Sequence, residues 1–97
     1  MTYELAFKAS ALKEWQKLGH TVRDQFKKKL AERLEQPHVP AAALSGATNL
    51  YKIKLRQAGY RLVYAVEDKT ITVTVIAVGK RDRNEVYDIA LSRLRDQ

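Results

Sequence analysis

Residues 51–56 read Tyr51-Lys52-Ile53-Lys54-Leu55-Arg56, a stretch in which apolar and cationic side chains alternate without exception. Successive side chains of a β-strand point to opposite faces of the sheet, so the stretch predicts one apolar face and one cationic face. The apolar face is expected to pack against a core. A row of cations on the other face is best explained as a binding surface for phosphate.

Two further strands are predicted on the C-terminal side, over Tyr60–Val66 and Thr70–Val78. The connecting segments Gln57-Ala58-Gly59 and Glu67-Asp68-Lys69 are short enough to be hairpin loops. Thr70–Val78 is rich in β-branched residues, which predicts a buried strand at the centre of the sheet.

A two- or four-residue loop in the first hairpin would place Lys54 opposite Arg61 and Lys52 opposite Val63 on one face. A bulge at Gly59 would shift this register. With the unshifted register, three cations from two strands share one surface.

The N-terminal third predicts a strand followed by two helices. Tyr3, Leu5 and Phe7 alternate with more polar residues, as in a strand. A first helix is expected to start at the N-cap Ser10 and to stop at Gly19. Its apolar residues are Leu12, Trp15 and Leu18.

A second helix is predicted from Thr21, where Thr21-Val22-Arg23-Asp24 resembles a capping box, to the helix breaker Pro37. An apolar stripe with a spacing of four residues supports it: Val22, Phe26, Leu30 and Leu34. Residues 38–49 are expected to be irregular.

A last helix should follow the capping box Asp82-Arg83-Asn84-Glu85 and use Val86, Ile89, Ala90 and Leu94 as its apolar side. The predicted order is β-α-α-β-β-β-α. The fold class is therefore α+β, with an antiparallel sheet, an N-terminal αα-hairpin and a C-terminal helix, all helices packing on one face. We expect a single domain over residues 1–97.

The composition narrows the class of partner. The chain of 97 residues has a formal net charge of +7 and a pI near 9.8, which favours a polyanionic partner such as nucleic acid. It has no cysteine, which fits a reducing compartment, and its N-terminus lacks the pattern of a secretory signal. A cytoplasmic protein without a membrane partner is the expectation.

The stretch from Tyr51 to Tyr87 contains no histidine and no cysteine, so chemistry there depends on lysine, arginine and tyrosine. Arg81 follows the predicted central strand, and Tyr87 sits in the first turns of the last helix. The candidate active site is therefore Lys52, Lys54, Arg61, Arg81 and Tyr87, with no metal or cofactor. A solvated face with scattered cations is the alternative interpretation.

The ordinary pKa values of these side chains limit which of them could move a proton. Lysine is a poor base at its ordinary pKa, but like-charge neighbours lower that pKa, which makes Lys54 the candidate base. Arginine keeps its proton, so Arg81 is better suited to stabilising negative charge than to simple acid catalysis.

Several segments in order resemble the RelE family of bacterial toxin–antitoxin ribonucleases, from Tyr3 to about Arg93. They are residues 12–19 (LKEWQKLG), 51–56 (YKIKLR), 59–64 (GYRLVY), 78–81 (VGKR) and 85–87 (EVY). The resemblance implies a microbial-RNase-like fold and cleavage of mRNA in the A site of the 70S ribosome, by attack of a 2′-hydroxyl on the adjacent phosphate. It also implies an acidic RelB-like antitoxin that folds on binding, through which alone operator DNA would be reached.

By position, Lys52 and Lys54 resemble the family's catalytic lysines, Arg61 its phosphate-stabilising arginine and Arg81 the group acting at the leaving oxygen. Tyr87 resembles its base-stacking tyrosine. One departure concerns the loop Leu44-Ser45-Gly46, where family members can carry a basic residue between leucine and glycine. We expect one supporting RNA contact to be missing there, which would affect the rate and not the reaction class.

Other cations are candidate contacts to RNA or the ribosome: Lys27, Lys28, Lys29, Arg56, Lys80 and Arg83. The aromatic residues Trp15, Tyr60 and Tyr64 are interpreted as core. Two other functions stay open, namely a non-catalytic nucleic-acid or ribosome-binding module and a gyrase inhibitor of the related ParE type.

Overall fold

The computed structural model describes residues 2–82 and 85–95. It has the predicted element order β-α-α-β-β-β-α. The elements are β1 (Glu4–Phe7), α1 (Ala9–Gln16), α2 (His20–Glu35), a 3₁₀ turn (Pro40–Ala42), β2 (Leu50–Leu55), β3 (Tyr60–Glu67), β4 (Thr72–Lys80) and α3 (Glu85–Arg95).

The four strands form one sheet in the order β1-β4-β3-β2. β2, β3 and β4 pair antiparallel, as predicted, and β4 lies inside the sheet. β1 runs parallel to β4, whereas the sequence analysis predicted an antiparallel sheet. A parallel pair of strands needs a long connection. The chain between β1 and β4, which contains α1, α2, β2 and β3, provides it.

The predicted register of the first hairpin is confirmed. Lys54 pairs with Arg61 and Lys52 with Val63, across a four-residue loop of residues 56–59. Gly59 adopts φ +73°, a left-handed conformation that glycine reaches without strain. The irregularity lies elsewhere: between Val63 and Tyr64 the register with β4 shifts, because Ile76 is an extra residue in β4.

The helices cover both faces of the sheet, so the expectation that they share one face is wrong. A first core packs α1 and α2 on one face; Trp15, Phe26, Leu30, Ile53 and Tyr64 are among its buried members. A second core packs α3 on the other face; Leu44, Leu50, Val63, Val86 and Ala90 are among its members. The extra residue Ile76 and the following Ala77 both belong to this second core.

Several predicted boundaries differ by one or two residues. Ser10 lies within α1, whose N-cap is Lys8, and α1 ends at Gln16 rather than at Gly19. Gly19 has φ −64° and is the N-cap of α2, so the capping box predicted at Thr21 does not form. A glycine at this position can begin the next helix as readily as end the previous one.

The β3–β4 turn also extends further than predicted. Ile71 adopts φ +50°, which is costly for a β-branched residue, and its N–H donates to the Asp68 carbonyl at 3.3 Å. β4 therefore starts at Thr72. In the capping box predicted before α3, Arg83 and Asn84 lie outside the described residues, and the Glu85 N–H donates to the Asp82 carbonyl at 2.8 Å.

In the described part of the chain, no helix has both the length and the apolar character needed to cross a membrane.

Candidate active site

A cleft at the turn end of the β2–β3 hairpin is lined mainly by cations. Its volume is about 310 Å³, and Lys54, Arg56, Arg61 and Arg81 line it together with Leu55 and Tyr60. We call it the cationic cleft. None of these lining residues is acidic, so the cleft attracts an anion of the size of a phosphodiester without an internal counter-charge.

The hairpin register and one backbone hydrogen bond assemble the cleft. Lys54 and Arg61 are cross-strand neighbours on the face that carries the second core. Arg81 follows the last residue of β4, and its N–H donates to the Gly59 carbonyl at 2.7 Å. Residues from three segments thereby meet at one end of the sheet, as the sequence predicted.

Tyr87 lies over the same face. Its ring centroid is 5.5 Å from Lys52 Nζ and 5.0 Å from Arg61 Cζ, both within cation–π range. Its hydroxyl oxygen is buried and finds no hydrogen-bond partner within the described residues. Burial raises the pKa of Tyr87, against the opposing effect of the Arg61 guanidinium. The tyrosine is therefore held in the neutral form against two cations.

A close approach between α3 and β4 makes this placement possible. A Cβ atom added at Gly79 would lie 3.1 Å from Cγ2 of Val86, the residue before Tyr87. Gly79 therefore lets the first turn of α3 rest directly on the sheet, beside the partner position of Arg61.

Lys54 has the electrostatic setting of a general base. The positive charge of Lys52, followed by desolvation and by the charges of Arg61, Arg56 and Arg81, lowers the pKa of Lys54 below its usual range. The neutral form of an exposed lysine is thus more populated near neutral pH. The four surrounding cations thus lower the pKa of this amine and concentrate positive charge around it.

The predicted RNA contacts divide into two groups. Lys28 and Lys29 on α2 line a shallow groove with Lys54 and Arg56, so the groove continues from the cationic cleft onto the helix. Lys27 is exposed on α2. Lys80 instead lines a separate pocket with Glu14 and Asp82 between α1 and α3, and Arg83 lies outside the described residues.

The other aromatic residues behave mostly as predicted. Trp15 and Tyr64 are buried in the first core. Tyr60 is only half-buried and also lines the cationic cleft, a position that the sequence analysis missed. The available signal was its place as the first residue of a strand after the loop, where a side chain reaches the sheet end.

The two histidines make separate contacts. His20 Nε2 lies 3.2 Å from Asp24 Oδ2, and His38 Nε2 lies 2.8 Å from Asp68 Oδ1. Within residues 2–82 and 85–95, no three His, Cys, Asp or Glu side chains are grouped so that they could hold a metal ion. Ser45, the departure from the family pattern, is exposed.

Comparisons with known proteins agree on one family. The family model described as "ParE toxin of type II toxin-antitoxin system, parDE" matches residues 5–85. The mRNA interferase toxin RelE of Escherichia coli strain K12 is 57% identical over 94 residues, covering 97% of this chain and 99% of that protein.

Solved structures give the same result. A doubly substituted variant of E. coli toxin RelE in the free state has a TM-score of 0.89 and 55% identity, covering 97% of this chain and 99% of the other. The toxin chain of the intact E. coli RelBE toxin–antitoxin complex has a TM-score of 0.80 and 58% identity, covering 84% and 99%.

Proposed function

Because the chain belongs to the RelE/ParE family of toxins of type II toxin–antitoxin systems, we propose that it is an mRNA interferase acting on the ribosome. It inhibits translation by cutting mRNA in the ribosomal A site. The observation that carries this proposal is the cationic cleft, where Lys54, Arg61 and Arg81 converge beside Tyr87. Similarity to a named mRNA interferase over nearly the whole chain supports it.

The reaction that fits the cleft is attack of an mRNA 2′-hydroxyl on the adjacent phosphorus. Lys54 takes the hydroxyl proton as the new O–P bond forms. Arg61 and Lys52 balance the extra negative charge of the phosphorane. The bond to the 5′-oxygen then breaks, Arg81 stabilises that oxygen and solvent supplies its proton. The products are a 2′,3′-cyclic phosphate and a 5′-hydroxyl end.

Dependence on the ribosome follows from what the cleft lacks. It offers charge and one candidate base, but Lys54, Arg56 and Arg81 are exposed, so a free RNA strand would not be held in the orientation that the reaction needs. A ribosome that positions the mRNA would supply the missing orientation, which is worth several orders of magnitude in rate.

Expression of the protein without an antitoxin is expected to arrest growth and to leave mRNAs cut at positions in the reading frame. Sequencing of RNA fragments with 5′-hydroxyl ends, captured after enzymatic phosphorylation, measures this. The Lys54→Ala variant at equal abundance is the control. Intact mRNA together with trapped gyrase–DNA complexes would contradict the proposal and favour the ParE-type activity that the family model also covers.

The helix lysines are expected to act in binding rather than in cleavage. Replacing Lys27, Lys28 and Lys29 together by alanine should weaken ribosome association in a salt-dependent way, because Lys28 and Lys29 extend the groove from the cleft. The plot of log affinity against log salt has a negative slope, and the magnitude of that slope should decrease by about 2 to 3. Sedimentation with ribosomes at several salt concentrations measures the slope.

A triple variant of Lys13, Lys17 and Lys69 to alanine removes the same charge from exposed positions elsewhere. It should leave the slope closer to that of the wild type. Equal losses in the two triple variants would show that net charge alone, rather than the groove, governs binding.

We also propose a RelB-like antitoxin as the partner that silences the toxin, as in the E. coli RelBE complex. A chain with a formal charge of +7 suits an acidic segment that folds on binding. Such a segment would cover Lys52, Lys54, Arg61 and Arg81, or displace α3 and with it Tyr87.

Hydrogen exchange with and without the antitoxin tests this proposal. Protection is expected to change along residues 51–61, in α3, or in both. Unchanged protection in both regions, in a complex that still suppresses cleavage, would contradict it and indicate that the antitoxin blocks entry to the ribosome.

A further inference from the structure

A half-buried ion pair joins the C-terminal half of α3 to α1, across the outer edge of β4. Arg93 Nη1 donates to Glu14 Oε1 at 2.9 Å, and Arg93 Nη2 donates to Glu14 Oε2 at 3.0 Å. The two side chains are 22% and 28% exposed. This two-point geometry is the strong form of an arginine–carboxylate contact, and lysine could not reproduce it.

The same pair occupies the place of a missing strand. β1 pairs with β4 only as far as Val75, which leaves the outer edge of β4 uncovered beyond that point. There the Val78 N–H donates to Glu14 Oε1 at 3.1 Å, and Arg93 Nη1 donates to the Ile76 carbonyl at 2.7 Å. The pair thus satisfies two backbone groups that a neighbouring strand would otherwise satisfy.

These contacts fix α3 at both ends of its packed side. Near its N-terminus, Val86 is buried against Gly79. Near its C-terminus, Arg93 is bound to Glu14 and to the backbone of β4. Tyr87 lies on the helix between these two attachments, with its ring against Lys52 and Arg61.

We propose that the Glu14–Arg93 pair is a positioning device for the active site, which locks α3 on the sheet so that Tyr87 is held against Lys52 and Arg61. Glu14 and Arg93 do not line the cationic cleft. They act through Tyr87, and the catalytic part of the proposal rests on the function proposed above. Without the pair, α3 would keep its apolar packing but lose the contact that sets its position along β4.

The test is single-turnover cleavage of mRNA on programmed ribosomes by the full chain. Arg93→Gln is expected to slow cleavage by about 10- to 100-fold with unchanged ribosome affinity, since small misplacements of catalytic groups have effects of that size. Arg93→Lys, which keeps the charge but not the two-point contact, should restore little of the rate. Lys13→Gln removes an exposed cation from α1 and should leave the rate unchanged.

A double-mutant cycle separates positioning from a general structural role. In a Tyr87→Ala background, Arg93→Gln should cause no further loss, because both changes remove the same contribution. An equal loss in both backgrounds, or no loss in either, would overturn the proposal. If Arg93→Gln does not fold, Glu14→Gln replaces it, since its amide oxygen can still accept from the Val78 N–H.

A second measurement uses the free protein and does not depend on cleavage of mRNA. Arg93→Gln and Glu14→Gln should raise amide exchange in α3 and shift the ring resonances of Tyr87, while exchange in the first core stays constant. Unshifted Tyr87 resonances would overturn the proposal. If the wild type does not cleave mRNA on ribosomes, the proposed function fails, and this readout alone decides whether the pair positions Tyr87.

Discussion

Replacing Lys54 by alanine is expected to slow single-turnover cleavage on programmed ribosomes by about 10²–10⁴-fold, with little loss of ribosome binding. The change removes the base for the 2′-hydroxyl and leaves Arg56, Arg61 and Arg81 to bind phosphate. Lys54→Arg is the matched variant, because arginine keeps the charge but does not give up its proton. If Lys54→Arg cleaves as fast as the wild type, Lys54 acts only through its charge.

The pH dependence of the same reaction carries the signature of the base. The wild-type rate should rise with pH as Lys54 loses its proton, and it should level off below the pH at which a lysine ordinarily titrates, because the pKa of Lys54 is lowered. Lys52→Gln removes the largest cause of that lowering. The pKa of Lys54 should then rise and the plateau should move to higher pH. A plateau that stays in place would contradict the assignment.

Replacing Arg81 by alanine should slow cleavage by about 10²–10⁴-fold in the same assay, because water would replace the guanidinium beside the departing 5′-oxygen. The sharpest measurement uses an mRNA with sulfur at the bridging 5′ position of the scissile phosphate. A thiolate leaves readily without help, so the loss caused by Arg81→Ala should shrink to less than about 10-fold.

An undiminished loss on the sulfur substrate would place Arg81 elsewhere in the reaction, for example at the phosphorane oxygens. Lys69→Ala, in the β3–β4 turn at the opposite end of the sheet, is the control for both substrates and should cleave each at the wild-type rate.

The sequence predicted those parts of the site that depend on local rules. Alternation in residues 51–56 and the length of the following loop were sufficient to pair Lys54 with Arg61. The position of Tyr87 in the first turn of a helix placed its ring above the same face. These inferences needed only strand parity and the order of elements along the chain.

The features of the fold and of the site that were not predicted depend on contacts between distant segments of the chain. Apolar stripes show that a helix packs, but not on which face of the sheet, so the division into two cores was missed. Glu14 and Arg93 are 79 positions apart, and neither belongs to a recognisable local pattern. The continuity of Lys28 and Lys29 with the cationic cleft likewise depends on how α2 lies along β2.

The separation of the core into two halves has a practical consequence for spectroscopy. Trp15 is the chain's single tryptophan, and its ring lies 5.2 Å from Phe7 and 6.2 Å from Phe26, wholly on the α1 and α2 side. Its fluorescence emission therefore reports mainly on the packing of the first core. Coincident melting curves from tryptophan emission and from far-ultraviolet circular dichroism would indicate loss of the whole domain. A loss of helical signal that precedes the change in emission would instead identify departure of the C-terminal helix from an otherwise intact protein.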